Sequence, residues 1–322
     1  MRIDPAIAAL RSDRAPQRQA QTAMDAACRA WRSEPGAQGA VDDLRAYADG
    51  AALADCPHLA AMLRDPCTGR RLVERLFAML ARTMRQEIFA HPPFRHGFNG
   101  DAGTLMLAKC GRAQLLVQTR EPGWADQSAA MFSDAERHDL VLAGTASARL
   151  VRLRGVADDV ADLEEGDIDL VPDTSLSLDL ARECLLVGGT ARRLVVLRLV
   201  RTAQRPAPAC EYARPGGRLL HRAAGSLADS HREAMISLLG RMQRSDAAGV
   251  VADIARADGP DSLRWHALRE SLAMDTASGF AALVAIARDP ADPIAADAGA
   301  LRAQLVEAHP ELLEWETARC PA

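Results

Sequence analysis

The sequence predicts an α+β protein: a helical N-terminal region, an antiparallel β-sandwich or barrel in the middle, and a helical repeat at the C-terminus. Three observations carry this. Residues 68–89 place Leu72, Val73, Leu76, Phe77, Leu80, Met84 and Ile88 at three-to-four spacing, the stripe of an amphipathic helix. From about residue 104 to 202 short alternating apolar runs are punctuated by glycine, the pattern of closely spaced strands. From Ser226 onward, Ala234-Met235, Ala267-Leu268 and Ala300-Leu301 recur, with Leu239, Leu272 and Leu305 in step behind them. Three regions follow: 1–99, 100–222 and 223–322.

In the N-terminal region, residues 1–34 read as helical or partly disordered, with a break expected at the EPGAQG stretch, 34–39. Residues 41–64 read as one or two helices interrupted near Asp55-Cys56-Pro57, with Asp55 as cap and Pro57 in the first turn. Thr68 is the expected cap of the long helix, and His91-Pro92-Pro93 its stop.

In the middle region, 104–119 reads as two strands around Cys110-Gly111 and 139–154 as two more turning near Gly144. Segments 167–171, 175–180, 184–187 and 194–202 continue the run, with Gly188-Gly189 as a hairpin turn. The acidic residues between Asp158 and Asp169 read as a solvated loop, because they lack the spacing of a calcium loop.

The middle region resembles the cupin family. Gly166-Asp167-Ile168-Asp169-Leu170-Val171-Pro172 matches the opening of its second motif, a glycine followed after five residues by proline. Gly123 matches the leading glycine of the first motif, and Gly144 its closing glycine, one residue late. The resemblance implies a small β-barrel. It also places Ala129, Met131 and Ser177 where the family carries metal-binding histidines, leaving Glu136 of the usual set. One carboxylate cannot hold a transition metal, which needs three or four donors. No cofactor is expected. His91, His96 and His138 are the remaining metal candidates beside Glu136. The phrase FAALVAIARDPADP and the spacing after 230 resemble HEAT-type helical repeats, which implies stacked helix pairs sharing one core over 230–314. Met235, Leu268, Leu301, Leu239, Leu272 and Leu305 are the expected core positions.

Composition sets the function classes. Net charge is −4 and aromatic content 4%, so neither nucleic acid nor an anionic membrane is an expected partner. No apolar run approaches the roughly 18 residues of a membrane helix, and the first residues lack a signal-peptide core, which points to the cytoplasm. Seven scattered cysteines without a C-x-x-C pair read as reduced thiols. No nucleophile elbow or phosphate-binding loop is present. Lys109 is the single lysine among 39 basic residues, so the cationic chemistry is arginine's. Arg149, Arg152, Arg193 and Arg198 alternate along the strand segments and are the candidate contacts for an anion. The expected function is a non-enzymatic binding or regulatory protein acting through protein partners or a small anionic ligand. The alternative is a cupin-like small-molecule enzyme, a metal-dependent oxygenase or isomerase.

Overall fold

A computed structural model describes residues 13–92, 96–98, 100–124 and 127–317. The chain divides into two compact units. The first comprises Met1–Gln204 with Glu211–Leu220, the second Arg205–Cys210 with His221–Ala322.

The first unit opens with four helices: α1 (Ala15–Arg32), α2 (Pro35–Asp49), α3 (Pro57–Arg64) and α4 (Pro66–Gln86). The expected break at 34–39 is instead the start of α2, because Pro35 sits in its first turn, where a missing N–H costs nothing. Pro57 starts α3 as expected, but the cap is not Asp55. The carboxylate of Asp43, on α2, accepts from the backbone N–H groups of His58 at 2.6 Å and Leu59 at 3.1 Å. Asp65, not Thr68, caps α4. Of the predicted α4 stripe, Val73, Leu76 and Leu80 are buried, whereas Phe77 and Met84 are exposed and Ile88 lies beyond the helix, also exposed.

The sheet has eight strands: β1 (His96–Phe98), β2 (Ala102–Cys110), β3 (Ala113–Arg120), β4 (Gly123–Trp124), β6 (Ala135–Ala157), β7 (Val160–Leu170), β8 (Ser175–Asp179) and β9 (Glu183–Thr202). Their path is β1-β2-β3-β9-β6-β7, with β4 on β9 and β8 on β6, and every pairing is antiparallel. A separate three-stranded sheet runs in the order β11 (Leu219–Ala223), β10 (Ala209–Ala213), β5 (Ala129–Phe132).

Two expected turns are absent. Gly144 adopts φ +84°, but as a bulge inside the continuous strand β6. A Cβ there would sit 2.2 Å from the Arg193 carbonyl oxygen, so glycine is what lets β6 stay against β9 through the irregularity. Gly188 and Gly189 lie within β9, beneath the Trp124 ring. A Cβ on Gly189 would be 3.0 Å from that ring. These glycines serve close approach, not reversal.

Strand alternation gives the sheet two faces. Leu115, Val117, Leu140, Leu142, Leu197 and Leu199 turn toward the helices and join Met24, Trp31, Leu44, Tyr47, Leu59 and Leu76 in one core. The helical region expected as 1–99 therefore shares its interior with the sheet. Val141, Ala146, Ala148, Leu170, Leu194 and Val196 form a second cluster on the opposite side.

The second unit carries α5 (Leu227–Arg241), α6 (Ala248–Arg256), α7 (Asp261–Met274), α8 (Thr276–Ala287), α9 (Ala295–Ala308) and α10 (Leu312–Thr317). Its core is built on Ile236, Val251, Leu263, Leu268, Phe280, Leu283 and Ile286. Leu268 is fully buried, and Leu239, Leu272, Leu301 and Leu305 pack partly buried against the core. Met235 departs from expectation: it is 56% exposed, and the adjacent Ile236 takes the interior place. Arg264 fixes this unit. It is 6% exposed, donates from Nε to the Ala255 carbonyl at 3.0 Å, and holds Asp292 through Nη1–Oδ1 at 2.9 Å and Nη2–Oδ2 at 2.5 Å.

Candidate functional site

On β6, alternation turns Arg137, Asp139 and Val141 to the same side, and on β9 it turns Leu194, Val196 and Arg198 there. Register joins the two sets, Arg198 opposite Asp139 and Val196 opposite Val141. On the far side of β9, Gln118 lies opposite Val196 and Arg120 opposite Leu194. These residues surround a cavity of about 110 Å³, closed by Leu170 of β7, Leu176 of β8, and Leu185 and Val187 of the other end of β9. The sheet thus curls around a hollow. A volume of this size holds a compact molecule of several heavy atoms.

The cavity's charges do not cancel among the described residues. Three arginines, Arg120, Arg137 and Arg198, line it with one carboxylate, Asp139. Arg198 donates from Nε and Nη2 to the two Asp139 oxygens at 2.7 and 2.8 Å, a two-point pair whose acid is 3% exposed. Asp139 is then largely used. Its Oδ2 lies 3.2 Å from Arg137 Nε, but off the line of the N–H bond, so Arg137 Nε and Nη2 are both buried without a hydrogen-bond acceptor. Burial lowers the Arg137 pKa, and Asp139 only partly restores it. Arg120 donates from Nη1 to the Val187 carbonyl at 2.5 Å. A buried guanidinium with unmet donors is costly to keep. Both atoms are closed to solvent, so an oxyanion in the hollow would supply the acceptors only after a shift of the Arg137 side chain.

Of the four predicted arginines, only Arg198 lines this cavity. Arg149 lies on the rim of a neighbouring hollow with Trp124 and Arg214, which shares Gln127 and Val187 with the inner one. Arg149 is paired with Asp167 at 3.1 Å and Glu165 at 3.2 Å, Arg152 with Glu183 at 3.3 Å, and Arg193 with Glu121 at 2.9 Å. The structure does not bring the four together. The acidic stretch expected as a loop is strand β7, and its register sets Asp167 opposite Arg149, which is why those acids are spent on β6 arginines. Arg137, Asp139 and Arg120 were not singled out in the sequence. The available signal was the alternation Arg137-x-Asp139-x-Val141 facing Leu194-x-Val196-x-Arg198, legible once those two segments are paired.

The metal candidates do not gather in the hollow. Glu136 and His138 occupy the alternate positions of β6 and face the helices. The Tyr47 hydroxyl donates to Glu136 Oε1 at 2.5 Å, and Arg201 pairs with the same oxygen at 2.5 Å while its guanidinium stacks 4.0 Å above the Tyr47 ring. Both burial and Glu136 raise the Tyr47 pKa, so the phenol keeps its proton. His138 Nδ1 lies 2.8 Å from Ser177 Oγ, its Nε2 is buried without a partner, and burial lowers its pKa. Glu136 and Ser177, equated above with cupin ligand positions, thus point away from the barrel interior, and Met131 is 59% exposed. His91 is exposed, and the His96 side chain lies outside the described residues. Among the described residues no three His, Cys, Asp or Glu side chains converge as a metal site would require, and no helix is long and apolar enough to cross a membrane.

No protein-family model matches the chain, and no curated protein matches it. Solved structures do. A 7S globulin of Momordica charantia is 15% identical over 38% of this chain and 36% of its own, with a TM-score of 0.27. A cupin superfamily protein of Desulfitobacterium hafniense is 17% identical over 33% of this chain and 83% of its own, with a TM-score of 0.25. The capsular polysaccharide assembling protein CapF of Staphylococcus aureus is 13% identical over 46% of this chain and 44% of its own, with a TM-score of 0.28. The chain thus spans less than half the length of the globulin and of CapF, and the likeness is confined to part of each chain.

Proposed function

We propose that the β-domain is a receptor for a small anion held inside its curled sheet, and that the protein is a binding or regulatory protein acting through that ligand. One observation supports this above the others: part-buried Arg137, at a cavity wall, has two buried nitrogens without a hydrogen bond, and it shares the only lining carboxylate described, Asp139, with Arg198, which holds it at two points. The two donor atoms are closed to solvent, so engagement includes a shift of the Arg137 side chain. Thermal unfolding of the full chain against small carboxylates, phosphate and sulfate tests the reading. Free ligand at 100 times Kd stabilises the fold by about 2.7 kcal/mol. Arg137→Met should abolish the response, and a silent screen would remove the reading.

A second form of the proposal, action through a protein partner, draws on the helical unit. There Trp265, Leu272, Leu301, Leu305 and Leu312 line an apolar groove of about 810 Å³. A HEAT-type repeat would present such a face to a partner. Loss of co-purification on Arg269→Glu, an exposed residue of the same groove, with an unchanged unfolding midpoint tests it.

A further inference from the structure

Charge and shape in the hollow narrow the ligand further, given that an anion binds there at all. The charged and apolar lining residues are ordered along the strands. Arg137 stands at one end of the inward row of β6, followed by Asp139 and then Val141. Across the sheet, Arg198 meets Asp139, Val196 meets Val141, and Leu194 is the next inward residue of β9, with Arg120 opposite it on β3. Along the strands, Arg137 and Arg120 therefore stand at backbone positions on opposite sides of the Val141–Val196 pair. Arg198 is neutralised in place by Asp139. Arg137 shares Asp139 with Arg198, at 3.2 Å from Oδ2, and leaves Nε and Nη2 without a hydrogen bond, while Arg120 is bonded to a neutral carbonyl, so three lining cations face one carboxylate among the described residues. Two separated positive charges call for two negative ones, placed apart. An inorganic phosphate concentrates its charge on one centre, whereas Arg137 and Arg120 stand on opposite sides of the Val141–Val196 pair.

We infer that the ligand is a short-chain dicarboxylate, one carboxylate taken by Arg137 and the other by Arg120, with its methylene chain against Val141 and Val196. Arg198 already displays the intended contact, since it grips a carboxylate edge-on through Nε and Nη2. Those are the same two atoms that Arg137 leaves unmet.

The test is calorimetric titration of the full chain with glutarate, butyrate and inorganic phosphate. Glutarate should bind, and butyrate, which keeps the chain but loses one carboxylate, should bind about 10- to 100-fold more weakly, the range for one charge-assisted contact. Arg120→Met should bring glutarate down to the butyrate level and leave butyrate unchanged. Arg120 is part-buried and has no carboxylate partner among the described residues, so this variant stays informative if Arg137→Met fails to fold. Equal affinity for glutarate and butyrate would overturn the two-ended assignment. Binding of phosphate without glutarate would overturn the dicarboxylate class while leaving the anion reading standing. No heat from any of the three would remove both.

Discussion

Arg198 and Asp139 meet edge to edge inside the curled sheet, Nε to Oδ1 at 2.7 Å and Nη2 to Oδ2 at 2.8 Å. The pair spans the contact between β9 and β6, where the two residues are direct cross-strand partners. Its acid is the only carboxylate among the described cavity-lining residues, so it sets the electrostatic balance of the hollow.

Asp139→Ala removes that balance. Arg198 and Arg137, both part-buried, would then share no counter-charge, and breaking one side of a buried pair costs up to about 3–5 kcal/mol. The variant should unfold at lower urea than the parent. Added acetate should recover part of the loss by occupying the vacated place, and should do so more strongly than in the parent chain. Urea midpoints with and without acetate check both statements.

Arg264 and Asp292 make the corresponding pair in the helical unit, with side chains 8% and 12% exposed. The bond to Arg264 holds the Asp292 carboxyl below its usual pKa. Arg264→Ala leaves a nearly buried carboxylate alone, and should cost about 3–5 kcal/mol in chemical unfolding of that unit. A depressed carboxylate lends stability that is present above its unfolded pKa and lost as pH falls through the folded one. The pair should therefore weaken only in strong acid.

His138 gives a different pH window. Burial is the main cause of its lowered pKa, opposed by Glu136 and Asp139 and aided by Arg201. Tyr47 packs edge-on against its ring, and Ser177 faces Nδ1. The fold thus keeps His138 neutral at pH values where the unfolded chain binds a proton. Stability should fall as pH drops below about 6.5, the ordinary value, and level off below the folded pKa. His138→Gln should show a smaller decline between pH 8 and pH 5.5 in urea unfolding midpoints.

Much of the architecture was legible because periodicity reports burial. The α4 helix, the β2–β3 hairpin about Cys110-Gly111 and the helical second unit follow from apolar spacing and local breaks. The two missed turns have one physical origin, the double meaning of glycine. At Gly144 and Gly189 the residue admits a bulge and an overlying Trp124 ring rather than a chain reversal, and only the paired strand reveals which. The site was legible at Arg198 alone. Arginine is abundant throughout the chain, and what separates Arg137 from Arg149 is whether the opposing strand offers a carboxylate. Asp167 faces Arg149 across β7, whereas Val200 faces Arg137 across β9. The cupin-like spacing fell on Glu136 and Ser177, one residue out of step with the inward positions Arg137 and Leu176, and in a strand one residue is a change of face.

The most direct measurement is a crystal structure of the full chain soaked in sodium bromide, read by the anomalous signal of the halide. An anion receptor of the kind described places a bromide in the hollow against the Arg137 guanidinium, beside an intact Arg198–Asp139 pair. Bromide found only on the outer arginines, such as Arg193 and Arg149, with the hollow free of it, would contradict the account.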